Sequence, residues 1–141
     1  MRRILFVCHG NICRSAMAEY ILKSKTSDIY CESAATSNEE TGNDIYPPAK
    51  SCLTRHGISF DRHYARRVTS EDYENFDEIY VMDSYNMRNI LRIIDDPKHK
   101  IKKLLDEDIE DPWYTGNFDR VFEQLNEGID KLLLLNYGNI R

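Results

Sequence analysis

Apolar positions along the chain fall into two kinds of pattern, short unbroken runs and longer stretches that recur every three or four residues. Arg3-Ile4-Leu5-Phe6-Val7 is an unbroken run and predicts a strand buried on both faces. After a Gly-Asn loop, Ala16, Ala18, Ile21 and Leu22 follow helical spacing, and a second strand is predicted over 29–35, from Ile29 to Ala35. Ser37 to Tyr46 has loop composition; Pro47-Pro48 then opens a helix that Gly57 closes. Ser70-Glu-Asp-Tyr-Glu reads as a helix start, Glu78 to Met82 as a strand, and Met87, Ile90, Leu91 and Ile94 as one face of a helix stopped by Asp95-Asp96-Pro97. Ile101 to Leu105 is the expected fourth strand. Phe118, Val121, Phe122, Leu125, Ile129, Leu132 and Leu133 then mark a long amphipathic helix ending near Gly138.

Strands alternating with helix-length connections imply parallel βαβ units with right-handed crossovers, hence a sheet covered by helices on both faces. In such a sheet ligands bind outside the carboxyl ends of the strands, where strand order reverses. Two loops therefore carry the functional expectation, Cys8 to Ser15 after the first strand and Glu107 to Tyr114 after the fourth.

At 141 residues, 41% of them hydrophobic, the chain suits one domain spanning 1–141 with one packed core. Lys and Arg number 19 against 24 Asp and Glu, giving −5, so no global positive field exists to hold a nucleic acid. The longest apolar runs fall far short of the roughly 18 residues that span a bilayer, and the run after Met1-Arg2-Arg3 is too short for a signal peptide. A cytoplasmic protein without a membrane partner is expected. The sequence does not specify an oligomeric state; a monomer is the expectation. A reducing compartment leaves the four cysteines as thiols, and Cys31 and Cys52, inside regular periodic segments, are read as small core residues.

Cys8-His9-Gly10-Asn11-Ile12-Cys13-Arg14-Ser15 sets a cysteine six positions before an arginine, with a helix beginning at the end. A loop curled on its own amides makes an anion nest, and Gly10 and Asn11 permit the positive φ that curling needs. The helix that follows adds its N-terminal partial charge, and Ser15 suits the N-cap or first turn. Arg14 offers a planar fork for two phosphoryl oxygens. Cys8, at the floor of this cup, stands among positive dipoles that favour a thiolate nucleophile. His9 with Cys8 and Cys13 does not read as a metal site, because no second Cys/His pair is recognised at ligand spacing and Arg14 would repel a cation. No metal and no cofactor are expected.

Phe6 to Ser15, with Ala18-Glu19 in the next helix, resembles the signature of the low-molecular-weight protein tyrosine phosphatases, and Asp111-Pro112-Trp113-Tyr114-Thr115-Gly116 resembles their general-acid loop. Ser33-Ala34-Ala35, Pro47-Pro48-Ala49, His56-Gly57-Ile58, Ala65-Arg66 and Met82-Asp83 with Asn86 match family positions between the two, so the resemblance covers essentially the whole chain. It implies a four-stranded parallel, flavodoxin-like α/β/α sandwich, no cofactor, and hydrolysis of phosphotyrosine in proteins through a phosphocysteine intermediate. It makes Cys8, Arg14 and Asp111 the catalytic residues, with Asp111 the general acid. His9 to Ser15 bind the phosphate, while Asn11, Ser15, Ser33 and His63 form the hydrogen-bonded support of the loop. Ile12, Glu39, Trp113 and Tyr114 are the substrate-cleft residues. Glu107, Asp108 and Glu110 are expected to crowd Asp111 with like charge.

Two departures stand out. Ala16 occupies a place where the family usually has Pro, and Glu39 makes the rim acidic where the resemblance would often place an aromatic wall. Asp111 alone could simply cap a turn before Pro112, a reading that the nucleophile loop on the same sheet edge outweighs, and Cys13 could be either packing or the redox partner of Cys8. Within the family a phosphoarginine phosphatase is the nearest alternative; its branch differs at position 12, with a threonine in place of isoleucine. A phosphocysteine carrier of sugar transport would share the first loop but not need Arg14 and Asp111. A thiol-coupled arsenate reductase would need relay cysteines, and none follows Cys52.

Overall fold

The four residues Ile4 to Val7 are fully buried because β1 (Arg2–Cys8) runs through the middle of a parallel sheet. Its side chains alternate between two cores: Ile4, Phe6 and Cys8 join one, Leu5 and Val7 the other. The computed structural model describes the backbone of residues 1–140 and the side chains of residues 1–135. Along that chain β1 is followed by α1 (Arg14–Lys25), β2 (Ile29–Ala35), α2 (Pro47–Arg55), α3 (Ser70–Asn75), β3 (Glu78–Val81), α4 (Ser84–Ile93), β4 (Ile101–Lys103), α5 (Pro112–Thr115) and α6 (Phe118–Ile140).

The strands pair in parallel in the order β2-β1-β3-β4, as in a doubly wound, flavodoxin-like sheet. Helices α1, α2 and α6 supply the core on one face, α3 and α4 that on the other, so the three-layer α/β/α expectation holds. The chain leaves β1 to one side for β2 and crosses to β3 on the other, which puts the topological switch point at Cys8.

The predicted elements differ from the observed ones in instructive places. β2 matches residue for residue, whereas β4 stops at Lys103 and Leu104-Leu105 continue as buried loop. Ile90 and Ile94 are buried as expected, but Leu91 is exposed, and Ile93 and Met87 pack partly against the core. Trp113 and Tyr114 lie in the short helix α5, an element the periodicity did not predict. Gly57 closes α2 in the left-handed conformation at φ 73°, while α6 runs two residues past Gly138.

Candidate active site

The loop between β1 and α1 is held from outside by its carbonyls. Thr36 N donates to Cys8 O (2.9 Å), Ser37 N and Oγ to His9 O (3.2 and 3.0 Å), and Tyr46 N to Ile12 O (2.9 Å). His63 Nε2 donates to Asn11 O at 2.6 Å, which fixes the proton on Nε2 because a carbonyl can only accept. The amides of residues 10–14 donate to no protein acceptor among the described residues. A loop whose carbonyls are drawn outward and whose amides are left unpaired is a built anion receptor.

Asn11 carries the backbone curl, with φ 63°, and is fully buried. Gly10 does not share it: its φ lies outside the left-handed region, so the expectation that both residues turn there is corrected to Asn11 alone. Asn11 can hold that conformation because its side chain is satisfied on both ends. Nδ2 donates to Ser15 Oγ (2.8 Å) and Oδ1 accepts from Arg66 N (3.3 Å). Besides the Asn11 amide, Ser15 Oγ has Cys8 Sγ at 3.0 Å and Ala34 O at 3.4 Å, so one hydroxyl bridges the loop, the sulfur and β2. Ser15 lies in the first turn of α1, whose N-cap is Cys13. Nucleophile, hydroxyl and helix dipole thus converge on one sulfur.

Arg14 is buried, and its Nη1 is committed to Asp83 Oδ2 (2.7 Å) and Ile109 O (2.8 Å). Nη2 faces Asp111 Oδ2 at 3.5 Å. Burial opposes the guanidinium charge, but the Cys8 sulfur, Asp83 and Asp111 around it hold the proton more firmly than usual. Asp83 was quoted from the sequence only as a motif match; its working role appears in the fold. Burial drives the Cys13 thiol well upward, with Cys8 and Asp111 adding to the effect, so Cys13 remains a thiol at neutral pH.

Asp111 does both things its sequence context allows. Oδ1 caps α5 by accepting from Trp113 N (3.0 Å), and Oδ2 looks across to Arg14. The acidic crowd expected around it is not there as such. Asp108 pairs with Lys103 (2.7 Å) and accepts from Ser84 N and Oγ, which hold its carboxyl below the usual range, and Glu110 accepts from Asn117 Nδ2. Ser33 is a second correction: its hydroxyl donates to Glu19 Oε1 of α1 at 2.6 Å, so it braces that helix and not the loop.

Residues 8–14, Glu39, Asp111, Trp113 and Tyr114 line one pocket, as the sequence expects, and Glu40 joins them. His9 Nε2 meets Glu39 Oε2 at 2.9 Å across its rim. Tyr46 was missed; its ring packs against Trp113, tilted by 46° with centroids 4.7 Å apart. The only sequence signal for either addition was position, beside Glu39 and just before Pro47-Pro48. A pocket with a thiol floor, a fixed guanidinium, unpaired amides and an opposing carboxyl can bind a phosphoryl group, attack it and protonate what leaves.

A family profile described as low molecular weight phosphotyrosine protein phosphatase matches residues 3–138. The chain belongs to this family. Among the phosphatases it is similar to are a low molecular weight protein-tyrosine-phosphatase of Bacillus subtilis, 38% identical over 94% of each chain, and one from Gallus gallus, 40% identical over 88% of this chain and 89% of that one. A crystal structure of the Streptococcus pyogenes phosphatase superimposes with TM-score 0.91 at 36% identity, covering 94% of this chain and 91% of that chain. The matched span contains both motifs, Cys8 to Arg14 at one end and Asp111-Pro112 at the other, and the fold brings Cys8, Arg14 and Asp111 to one pocket. No described helix is long and apolar enough to cross a membrane.

Cysteine and histidine spacing outside the pocket also needs correction. Cys52 and His56 are four residues apart at the end of α2, a ligand-type spacing, and the fold brings Asp119 to them.

Proposed function

We propose that the protein hydrolyses phosphotyrosine in protein substrates through a phosphocysteine intermediate, in the cytoplasm and as a monomer. The observation that carries the reading is the arrangement of Cys8 Sγ, hydrogen-bonded to Ser15, below a loop of unpaired amides with Arg14 fixed by Asp83 and Asp111 opposite. Cys8 attacks phosphorus as the thiolate, forming the S–P bond as the aryl oxygen departs. Asp111 protonates that oxygen, then accepts a proton from the water that cleaves the S–P bond and releases inorganic phosphate. Arg14, held in one plane, binds the equatorial oxygens more tightly as they spread in the transition state. Each step is completed with side chains present in the pocket.

The preference for an aryl phosphate is supported by the cleft wall. Ile12 offers apolar surface, with Trp113 half exposed and Tyr114 more so. A flat ring is desolvated cheaply there, whereas a hydrated guanidinium is not. The direct comparison is kcat/KM for phosphotyrosine against phosphoarginine in otherwise identical peptides. Phosphotyrosine is expected to win, Ile12→Thr to narrow the gap, and Cys8→Ser to bind vanadate without turnover. A wild-type preference for phosphoarginine would overturn the substrate while sparing the chemistry; near-normal turnover by Cys8→Ser would overturn the chemistry.

A further inference from the structure

The second residue of α6 meets the end of α2. Oδ1 of Asp119 lies 3.1 Å from His56 Nε2, 3.6 Å from Cys52 Sγ and 3.0 Å from Arg55 Nη2. All three potential ligand atoms, Sγ, Nε2 and Oδ1, lie within 4.8 Å of one another. A tetrahedral zinc ion bonded to sulfur at about 2.3 Å and to nitrogen or oxygen at about 2.0 Å needs ligand atoms separated by about 3.3–3.6 Å. From Asp119 Oδ1 the sulfur at 3.6 Å stands at that edge length and the nitrogen at 3.1 Å slightly inside it, so small side-chain rotations would seat the ion.

We propose that Cys52, His56 and Asp119 form a zinc site that clips the end of α2 to the start of α6, away from the phosphate pocket. One thiolate, one imidazole and one carboxylate form a borderline-soft donor set, which suits zinc and not the oxygen-seeking magnesium or calcium. The histidine is aimed in advance: its ring stacks on Phe122, centroids 3.8 Å apart and planes 8° apart. The sulfur is buried, while His56 and Asp119 reach solvent, so an ion can enter and a water can complete the tetrahedron.

Binding exchanges protons for metal. Without metal the buried Cys52 thiol directs its hydrogen toward Phe118 O at 3.5 Å or Asp119 Oδ1 at 3.6 Å. Zinc displaces that proton to solvent, and the S–Zn bond forms as S–H breaks. His56 Nε2 donates its hydrogen to Asp119 Oδ1 without metal; on coordination that proton passes through solvent to Nδ1, and the neutral ring binds through the freed Nε2 lone pair. Thiolate and carboxylate together balance the two charges of the ion. Arg55 is the competitor, since its guanidinium now uses the same carboxylate oxygen. Its side chain is about half exposed and swings into water when the ion enters.

The test uses the full chain with cobalt and zinc salts. Cobalt should produce thiolate-to-metal charge-transfer absorption that persists in Cys8→Ser and disappears in both Cys52→Ala and His56→Gln. Zinc, competed against a chromophoric chelator, should bind at one equivalent and raise the Tm of the wild type but not of those two variants. Arg55→Ala should tighten zinc by about fivefold, the equivalent of one exposed ion pair. His56→Gln changes a partly exposed side chain and keeps the test valid if Cys52→Ala fails to fold. A band lost in Cys8→Ser would put the ion in the catalytic loop and overturn the proposal. So would a band retained in His56→Gln, no band at millimolar cobalt, or zinc binding unchanged or weakened in Arg55→Ala.

Discussion

Both oxygens of Asp83 are in use: Oδ1 caps α4 by accepting from Asn86 N at 2.6 Å, and Oδ2 holds Arg14 at 2.7 Å. A helix cap thereby sets the plane of the Arg14 guanidinium, and a residue that the sequence offers only as a motif match acquires both roles through the fold. Asp111 is the mirror case, a cap whose other oxygen faces the pocket. Asp111→Asn keeps the cap but removes the transferable proton. It should lower phosphotyrosine turnover by roughly 10²–10⁴-fold and spare phosphoenzyme formation from esters with acidic leaving groups. Equal losses on both ester classes, measured by stopped flow, would remove the proton-donor role. Cys13 lines the same pocket as Cys8 and is the second thiol there, which suits it to capture an oxidised Cys8 despite the burial that keeps it protonated. Mild peroxide should give reversible inactivation with a Cys8–Cys13 disulfide visible by mass spectrometry, and Cys13→Ser should recover less activity on reduction than the wild type.

At the scale of elements, the least amphipathic helix is the most functional one. Residues 14–22 of α1 are all buried, because the helix is covered by the sheet on one side and α6 on the other. α6 approaches the loop after β4 closely at Gly128, where a Cβ would stand 2.5 Å from Leu104 Cγ. Helix propensity alone would have Gly128→Ala stabilise the protein by about 1 kcal/mol. Steric conflict with a buried leucine should reverse the sign to a loss of about 1–3 kcal/mol, read from urea unfolding midpoints. A stabilised variant would mean that Leu104 repacks without strain. α5 is short, yet its left-handed Gly116 and the Asp111 cap let Trp113 turn back onto Tyr46.

The whole molecule depends on carboxylates that bind other segments. Burial opposes ionisation of Asp44, but the Lys50 hydrogen bond and the amides of His63 and Ile45 outweigh it and hold the carboxyl well below its usual range. Glu78 behaves likewise, with burial outweighed by its bonds to Arg2 and Tyr80. A carboxyl whose folded value lies below its unfolded value stabilises the fold above about pH 4, and that contribution is lost as pH falls further. The urea midpoint should therefore be flat from about pH 7 to 5 and drop steeply toward about pH 3. Asp44→Asn should lower the neutral-pH midpoint and flatten the acid slope. It should also loosen His63, the donor to Asn11 O, so activity should fall with stability; an unchanged acid slope would assign the effect to other carboxylates.

Local chemistry in the sequence determined which residues could do the work: a cysteine and an arginine six apart around a turn, an Asp-Pro before aromatics, and buried runs against helical periods. Those signals are short-range, since a strand buried on both faces is a continuous apolar run and a helix facing a core is a periodic one. β1, β2 and the α6 stripe were legible for that reason. Tertiary structure alone decided the partners of each side chain. Asp83 on Arg14, Ser33 turned to Glu19, Asp108 spent on Ser84, Tyr46 against Trp113 and Asp119 beside Cys52 and His56 all join residues distant in the chain. Such pairings are set by strand order and by which helix covers which face, and no local period encodes either.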